Sequence, residues 1–189
     1  MAERPDIWLL RHGETEWNRA GRIQGHLDSR LTAKGRAQAA RQGEILRSLN
    51  LGEVGAWCSP LGRAVETAAV AVVPLTGMVR TDDRLMEIGL GEWQDTDGLE
   101  LRAALERGGV GARILAMDDA PGGEGLDALR ARCTAFLDDL SGPAIVTCHG
   151  VSARMLWSIW LDRPLDLEGH GDLQGRVIVL SGSGMQILE

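Results

Sequence analysis

Two short apolar runs, far apart in the chain, end alike. Asp6 to Leu10 (DIWLL) leads into Arg11-His12-Gly13, and Ala144 to Cys148 (AIVTC) leads into His149-Gly150. Apolar runs of about five residues, bounded by polar residues and glycine, read as strands buried on both faces, and such strands occur in parallel sheets covered by helices. The segments between them alternate in the same way. Thr32 offers an N-cap to a helix running to about Leu49; Val54 to Cys58 reads as a strand, and Ser59-Pro60 as the cap and first turn of a helix through Val73. Met78 to Thr81 is a further short strand and Leu99 to Arg107 a helix. Pro121 to Gly125 (PGGEG) is a turn before a helix over 126–140. After Ala144 to Cys148 an apolar helix follows from Val151 to Trp160. Val177 to Leu180 and Met185 to Leu188, joined through Ser181 to Gly184, read as a hairpin. The expected fold is α/β: a three-layer α/β/α sandwich on a mostly parallel, mixed sheet, formed by one domain over residues 1–189.

Composition narrows the function classes. The chain has 189 residues and a net charge of -7, which disfavours nucleic acid and anionic membrane as partners, since both select basic surfaces. No apolar run approaches the roughly 20 residues of a membrane span. The first ten residues are too polar for a signal peptide, so the start of the chain is expected to belong to the fold. Cys58, Cys133 and Cys148 are odd in number and widely spaced, without a CxxC pair, so a reducing cytoplasm is the expected location.

A lone histidine at a strand end is more often a hydrogen-bonded structural residue than a catalyst. Here two such histidines are joined by Arg11, by Arg63 in the first turn of a helix after another strand, and by Glu87 in an irregular segment. In an open α/β sheet the ends of these strands form the usual ligand crevice. Phosphoryl transfer leaves a protein mainly positioning and charge neutralisation, which bidentate guanidinium groups perform well. A neutral imidazole can attack phosphorus, a second histidine can add charge or hydrogen bonds, and a carboxylic acid can protonate the leaving oxygen. On this reading His12 attacks, His149 assists, Arg11 and Arg63 grip phosphate, and Glu87, with Glu14 second, is the acid. Gly13 and Gly150 are expected where phosphate approaches the backbone.

These residues lie in blocks that resemble the histidine phosphatase (phosphoglycerate-mutase-like) superfamily. RHGETEWN (11 to 18) is similar to its signature, GRIQGHLDSRLTAKGRAQA (21 to 39) to the segment that follows, SPLGRAVETA (59 to 68) to its second arginine block, and RLMEIGLGEWQ (84 to 94) to its acid-bearing block, with PGGEG (121 to 125) and CHG (148 to 150) after them. The resemblance implies His12 as phosphoryl acceptor, Arg11, Arg63 and His149 completing the phosphate pocket, Glu87 as proton donor, and Asn18, Gln24, Gly25 and Gly150 as substrate-binding positions. It implies no metal and no cofactor. The sequence departs from the family pattern at Gly125, at Val151 and in the closing stretch GDLQGRVIVL (171 to 180), so the organic part of the substrate stays open.

The expected activity is metal-independent hydrolysis of a small anionic phosphate ester through a phosphohistidine. A mutase is the rival. Only about 30 residues separate Glu87 from PGGEG, leaving little material for a cap, so water is expected to reach a phosphohistidine. A metal site built from His12, His26, His149 and His170 lacks ligand spacing and sits beside Arg11, and a non-catalytic binding module on the same fold is a third reading. Trp17 and Trp93 are candidates for an apolar wall beside the substrate, whereas Trp157 and Trp160 read as core or a shared interface. A homodimer through the Trp-bearing helix or the sheet edge is compatible with the sequence.

Overall fold

The computed structural model describes residues 4–167 and 170–189; Met1 to Glu3, part of the start of the chain assigned to the fold above, lie outside them. Six strands form one mixed sheet in the order β3-β2-β4-β1-β5-β6: β1 (Ile7–Arg11), β2 (Gly55–Cys58), β3 (Arg80–Thr81), β4 (Ala144–Cys148), β5 (Val177–Ser181) and β6 (Gly184–Leu188). The first four are mutually parallel, and β5 and β6 add an antiparallel edge.

Alternation along the central strands builds the two outer layers, because successive side chains leave opposite faces of a sheet. Ile7 and Leu9 of β1 enter one core with Leu129 and Phe136 of α6 (Gly125–Asp138) and Leu156 and Trp157 of α7 (Gly150–Trp160). Trp8 and Leu10 enter the other with Ile45 and Leu46 of α2 (Ala33–Ser48) and Ala68 and Ala71 of α3 (Gly62–Ala71). Trp157 is thus interior, and the Trp-bearing helix offers no dimer face through it. The architecture is the expected three-layer sandwich.

Local differences from the expectations have physical causes. Thr15 and Asn18 form a reciprocal cap that starts a short helix, α1 (Glu16–Ala20), within what reads as loop, and Gly21 ends it in the left-handed region. The helix after β2 starts at Gly62, and Ser59 does not cap it. Pro74 interrupts the apolar run, so α3 stops and a separate turn, α4 (Val73–Thr76), follows. The helix predicted to end at Arg107 continues as α5 (Leu99–Ala116) past a break at Gly108 and Gly109, whose backbone angles are not helical.

The parallel register fixes the site. Arg11 lies opposite Cys148 and Cys58 opposite Thr147. Just beyond, His12 N–H donates to the Cys148 carbonyl at 3.0 Å and Ser59 N–H to the Thr147 carbonyl at 2.9 Å. The carboxyl ends of β1, β4 and β2 therefore deliver His12, His149 and Ser59 side by side.

Gly13 has a different reason from the one expected. A Cβ there would stand 2.2 Å from the Gly35 carbonyl oxygen, and one on Gly35 would stand 2.1 Å from the Glu14 carbonyl oxygen. The glycine pair lets the His12 loop lie against the first turn of α2, where Thr32 caps by accepting from Gly35 N–H at 3.0 Å. Gly13→Ala or Gly35→Ala, each forcing backbone against backbone, should cost about 2 kcal/mol or more and lower Tm by roughly 4–8 °C. Wild-type melting temperatures in both variants would remove this packing role.

Candidate functional site

His12 is buried, and its Nδ1 lies 2.8 Å from the Gly13 carbonyl oxygen. A carbonyl can only accept, so Nδ1 carries the proton and Nε2 keeps its lone pair. Burial first, then the charges of Arg63 and Arg11, hold the His12 imidazole well below its ordinary pKa. The ring is neutral near pH 7, the state a nucleophile requires.

Arg63 reaches the same place from the start of α3. Its side chain is about 1% exposed. Nη1 donates to the Leu27 carbonyl at 2.8 Å and to Asp28 Oδ1 at 3.0 Å, and Nη2 to the Gly25 carbonyl at 2.8 Å. Asp28, which nothing in the sequence singled out, thus balances the buried cation. Gly25 does more than line a wall: it holds φ +53°, and a Cβ there would meet Gln94 Oε1 at 2.2 Å. The Nε atoms of Arg11, Arg63 and Arg113 are all buried and hydrogen-bond to nothing among the described residues.

Glu87 docks on the N-terminus of α7. Its carboxyl oxygens accept from Val151 N–H at 3.1 Å and Ser152 N–H at 3.0 Å, and from its own neighbour Ile88 at 3.1 Å. The free amide groups and dipole of a helix start favour such a placement. A clamp fixes the loop from behind. Arg132 donates to the Arg84 carbonyl at 2.7 Å and the Glu87 carbonyl at 2.9 Å while pairing with Glu124 at 2.8 Å, and Glu124 in turn accepts from Gly89 N–H at 2.7 Å. Burial pushes the Glu124 carboxyl up, but hydrogen bonds from His26, Arg132 and the Gly89 N–H outweigh it and hold the carboxyl down at about 2. Glu124 is the acid of PGGEG, whose function is legible only once α6 is placed.

Arg11, His12, Asn18, Gln24, Gly25, Arg63 and Glu87 line one cavity of about 90 Å³, floored by Ile88, Leu90 and Met117. Seven of the nine residues singled out by sequence therefore converge on it. Gly150 lies beside it: a Cβ there would stand 3.6 Å from both Arg11 Nε and Glu87 Oε2. His149 is not on the wall. It is fully buried behind His12, ring centroids 5.1 Å apart, and its Nε2 meets Ser59 Oγ at 2.8 Å. Burial, then Arg63 and His12, keep its pKa well below the ordinary value, so it brings hydrogen bonding and no charge.

Several secondary candidates lie elsewhere. Glu14 accepts from Lys34 Nζ and Thr32 Oγ1, both at 2.9 Å, and these bonds lower its pKa; it is not on the cavity and is no alternative acid. His26 Nε2 lies 2.8 Å from the Glu87 carbonyl and His170 Nε2 lies 2.7 Å from Asp166. Trp17 lies under the Arg22 guanidinium and Trp93 packs on the core, so the apolar wall comes from Ile23, Ile88, Leu90 and Met117 instead. Burial pushes the Cys148 thiol up to about 12, in keeping with a core residue. Sequence reasoning missed Arg22, Arg113 and Met117 on the cavity wall, and Gln174, which donates to the His12 carbonyl at 3.1 Å and to Asn18 Oδ1 at 3.3 Å.

The family model described as histidine phosphatase superfamily (branch 1) matches residues 7–178. The chain belongs to that superfamily. It is 37% identical over 175 residues to a probable phosphoglycerate mutase GpmB of Erwinia tasmaniensis, covering 86% of this chain and 77% of that protein. With the Salmonella choleraesuis protein of the same name it shares 36% identity over 171 residues, 84% of this chain and 75% of the relative. Among solved structures, YhfR of Bacillus stearothermophilus superimposes with a TM-score of 0.76 at 30% identity, over 98% of this chain and 96% of that one. A phosphoglycerate mutase of Thermus thermophilus does so with 0.70 at 31%, over 97% and 96%. Among the described residues no helix is long and apolar enough to cross a membrane.

The tautomer and charge of His12 are directly measurable. In ¹⁵N-labelled protein, the His12 ring should show a protonated Nδ1 and an unprotonated Nε2 near pH 7, with its titration midpoint well below the ordinary 6.5. A midpoint at the ordinary histidine value or higher would contradict the assignment.

Proposed function

We propose that the protein is a phosphomonoesterase that passes a phosphoryl group from a small anionic ester to His12 and then to water. The observation that carries the reading is a neutral, buried imidazole with a free Nε2 lone pair in a small cavity lined by guanidinium groups. The Nε2 lone pair attacks phosphorus as the P–O ester bond breaks, and Glu87 gives its proton to the leaving oxygen. In the second step water attacks the phosphohistidine, Glu87 takes the water proton, and the P–N electrons return to Nε2. Arg11 and Arg63 offer buried Nε–H donors to the phosphoryl oxygens, where charge-assisted bonds are strong. Ser59 Oγ already accepts from Leu61 N–H at 3.3 Å; donating its own proton to His149 Nε2 leaves the His149 proton on Nδ1, a buried atom with no other partner among the described residues. Asn18, Gln24 and Gly25 shape the walls, with Gly150 beside them. The arginines supply the neutralisation, and no step calls on a metal or cofactor. The partner on this reading is a small-molecule phosphate ester.

A mutase reading has one observation in its favour besides the names of the GpmB relatives. The segment after Glu87, short as it is, does reach the site: Leu101, Arg102, Arg113 and Met117 line the cavities. Hydrolysis is favoured because Arg22 and Arg102 at the mouth are solvent-exposed, so water has access to the phosphohistidine.

His12→Ala should lose at least about a thousandfold in turnover with its melting curve unchanged. Glu87→Gln should lose about a hundredfold or more on an alkyl phosphate and less than about tenfold on p-nitrophenyl phosphate, whose leaving group hardly requires a proton. Phosphate release and product isomers are followed together, with EDTA present. Equal losses on both esters would take the acid role from Glu87, and isomerisation without phosphate release would make the protein a mutase.

A further inference from the structure

Gln174 reaches the site from the far end of the chain. It lines a cavity of about 260 Å³ that adjoins the one of about 90 Å³, and Asn18 lines both. The amide nitrogen Nε2 of Gln174 donates to the His12 carbonyl at 3.1 Å and to Asn18 Oδ1 at 3.3 Å. A backbone carbonyl can only accept, so the bond to His12 fixes which end of the Gln174 amide is nitrogen. Both N–H groups of that nitrogen are then used, one on His12 and one on Asn18.

The turn that carries Gln174 is held from several sides. Leu173 before it is buried in the core, and Gln174 N–H donates to Asp172 Oδ1 at 3.0 Å. Gln42 of α2, wholly buried, donates through Nε2 to the Arg11 carbonyl at 3.0 Å and to the Arg176 carbonyl at 2.9 Å, which ties the turn to the end of β1. Gln174 and Arg11 pair there as an isolated parallel bridge. A side chain on a backbone fixed in this way can set the orientation of the groups it touches.

Asn18 Oδ1 receives a second donor, Thr15 N–H, at 3.2 Å. Its oxygen is engaged twice, which leaves Nδ2 as the group that Asn18 offers to the cavity. Phosphoryl oxygens accept and do not donate, so an amide that met them with its oxygen would repel where one that meets them with N–H attracts. We propose that Gln174 is a positioning residue: it fixes the polarity of the Asn18 amide, nitrogen toward the phosphoryl group at His12, and steadies the His12 backbone through the same nitrogen. This rests on the phosphomonoesterase reading of the cavity.

The test is a double-mutant cycle on Gln174 and Asn18, read as the calorimetric affinity for inorganic phosphate, alongside kcat/KM for p-nitrophenyl phosphate and the melting temperature. Gln174→Met keeps the length of the side chain and removes both donors. It should weaken phosphate binding roughly three- to tenfold, whereas the same substitution in Asn18→Ala protein should change the affinity less than about twofold. Gln174→Ala, at a half-buried position, serves the same cycle if the methionine variant does not fold. Asn18→Asp keeps the acceptor that Thr15 and Gln174 use but turns an oxygen to the phosphate, so it should lose more affinity than Asn18→Ala. Wild-type affinity in the Gln174 variants, equal losses with and without Asn18, or Asn18→Asp protein that binds as well as Asn18→Ala would overturn the proposal. Phosphate binding without any ester hydrolysis would defeat the phosphomonoesterase reading alone, because the calorimetric cycle still decides the role of Gln174. Wild-type protein that binds no phosphate would overturn both.

Discussion

A parallel sheet ends here in an excess of buried positive charge. Arg63 is almost entirely enclosed, and Arg11 and Arg113 each bury a guanidinium nitrogen beside it. Removing such groups from water is costly unless other dipoles and charges replace the lost hydration. For Arg63 the replacement is visible: the loop carrying Gly25, Leu27 and Asp28 wraps two carbonyls and a carboxylate around it. Replacement is partial for Arg11 and absent among the described residues for Arg113. Burial first, and then the same charges, hold the His12 imidazole well below its ordinary pKa. On the proposed function, under-satisfied guanidinium groups beside a neutral histidine suit a phosphate dianion, which would supply the missing hydrogen-bond partners.

The remainder of the fold holds that arrangement in place. Register between β1 and β4 sets His12 beside His149, and the bond from His12 N–H to the Cys148 carbonyl ties the two loops. Gly13 and Gly35 let α2 lie directly on the His12 loop. Glu87, the proposed acid, comes from a segment with no regular structure of its own, so its placement depends on long-range bonds: Arg132 and Glu124 hold the backbone on one side, and the start of α7 receives the carboxyl on the other. An irregular segment pinned at both backbone and side chain is as well placed as one on a strand.

Residues whose placement follows from local pattern were legible in the sequence. Apolar runs ending in His-Gly located the strand ends, and the sheet does the rest for Arg11, His12 and His149. Arg63 followed from its place just after β2, and Glu87 from its block. Residues that reach the site from a distance were not. Arg113 lies beyond a two-glycine break at which the helix was expected to be over, and Arg102 and Gln174 carry no local signal that separates them from surface residues. Ser59 looked like a cap because Ser-Pro before a helical run usually is one, yet the helix starts later and its hydroxyl serves His149. Gly13 was read for its open space, whereas the space is filled by α2. Trp17 and Trp93 sit in the right blocks, but their rings face other partners. In each case tertiary packing, which no local window contains, decided the outcome.

The central claim, a covalent phosphoryl group on His12, is tested most directly by trapping it. The protein is mixed with ³²P-labelled ester, quenched in alkali and digested, and the labelled peptide is sequenced by mass spectrometry. Label on His12 that is stable to alkali, lost in acid and absent from His12→Ala is the predicted result. Turnover of the ester with no label, or label on another residue that persists in His12→Ala, would contradict the claim.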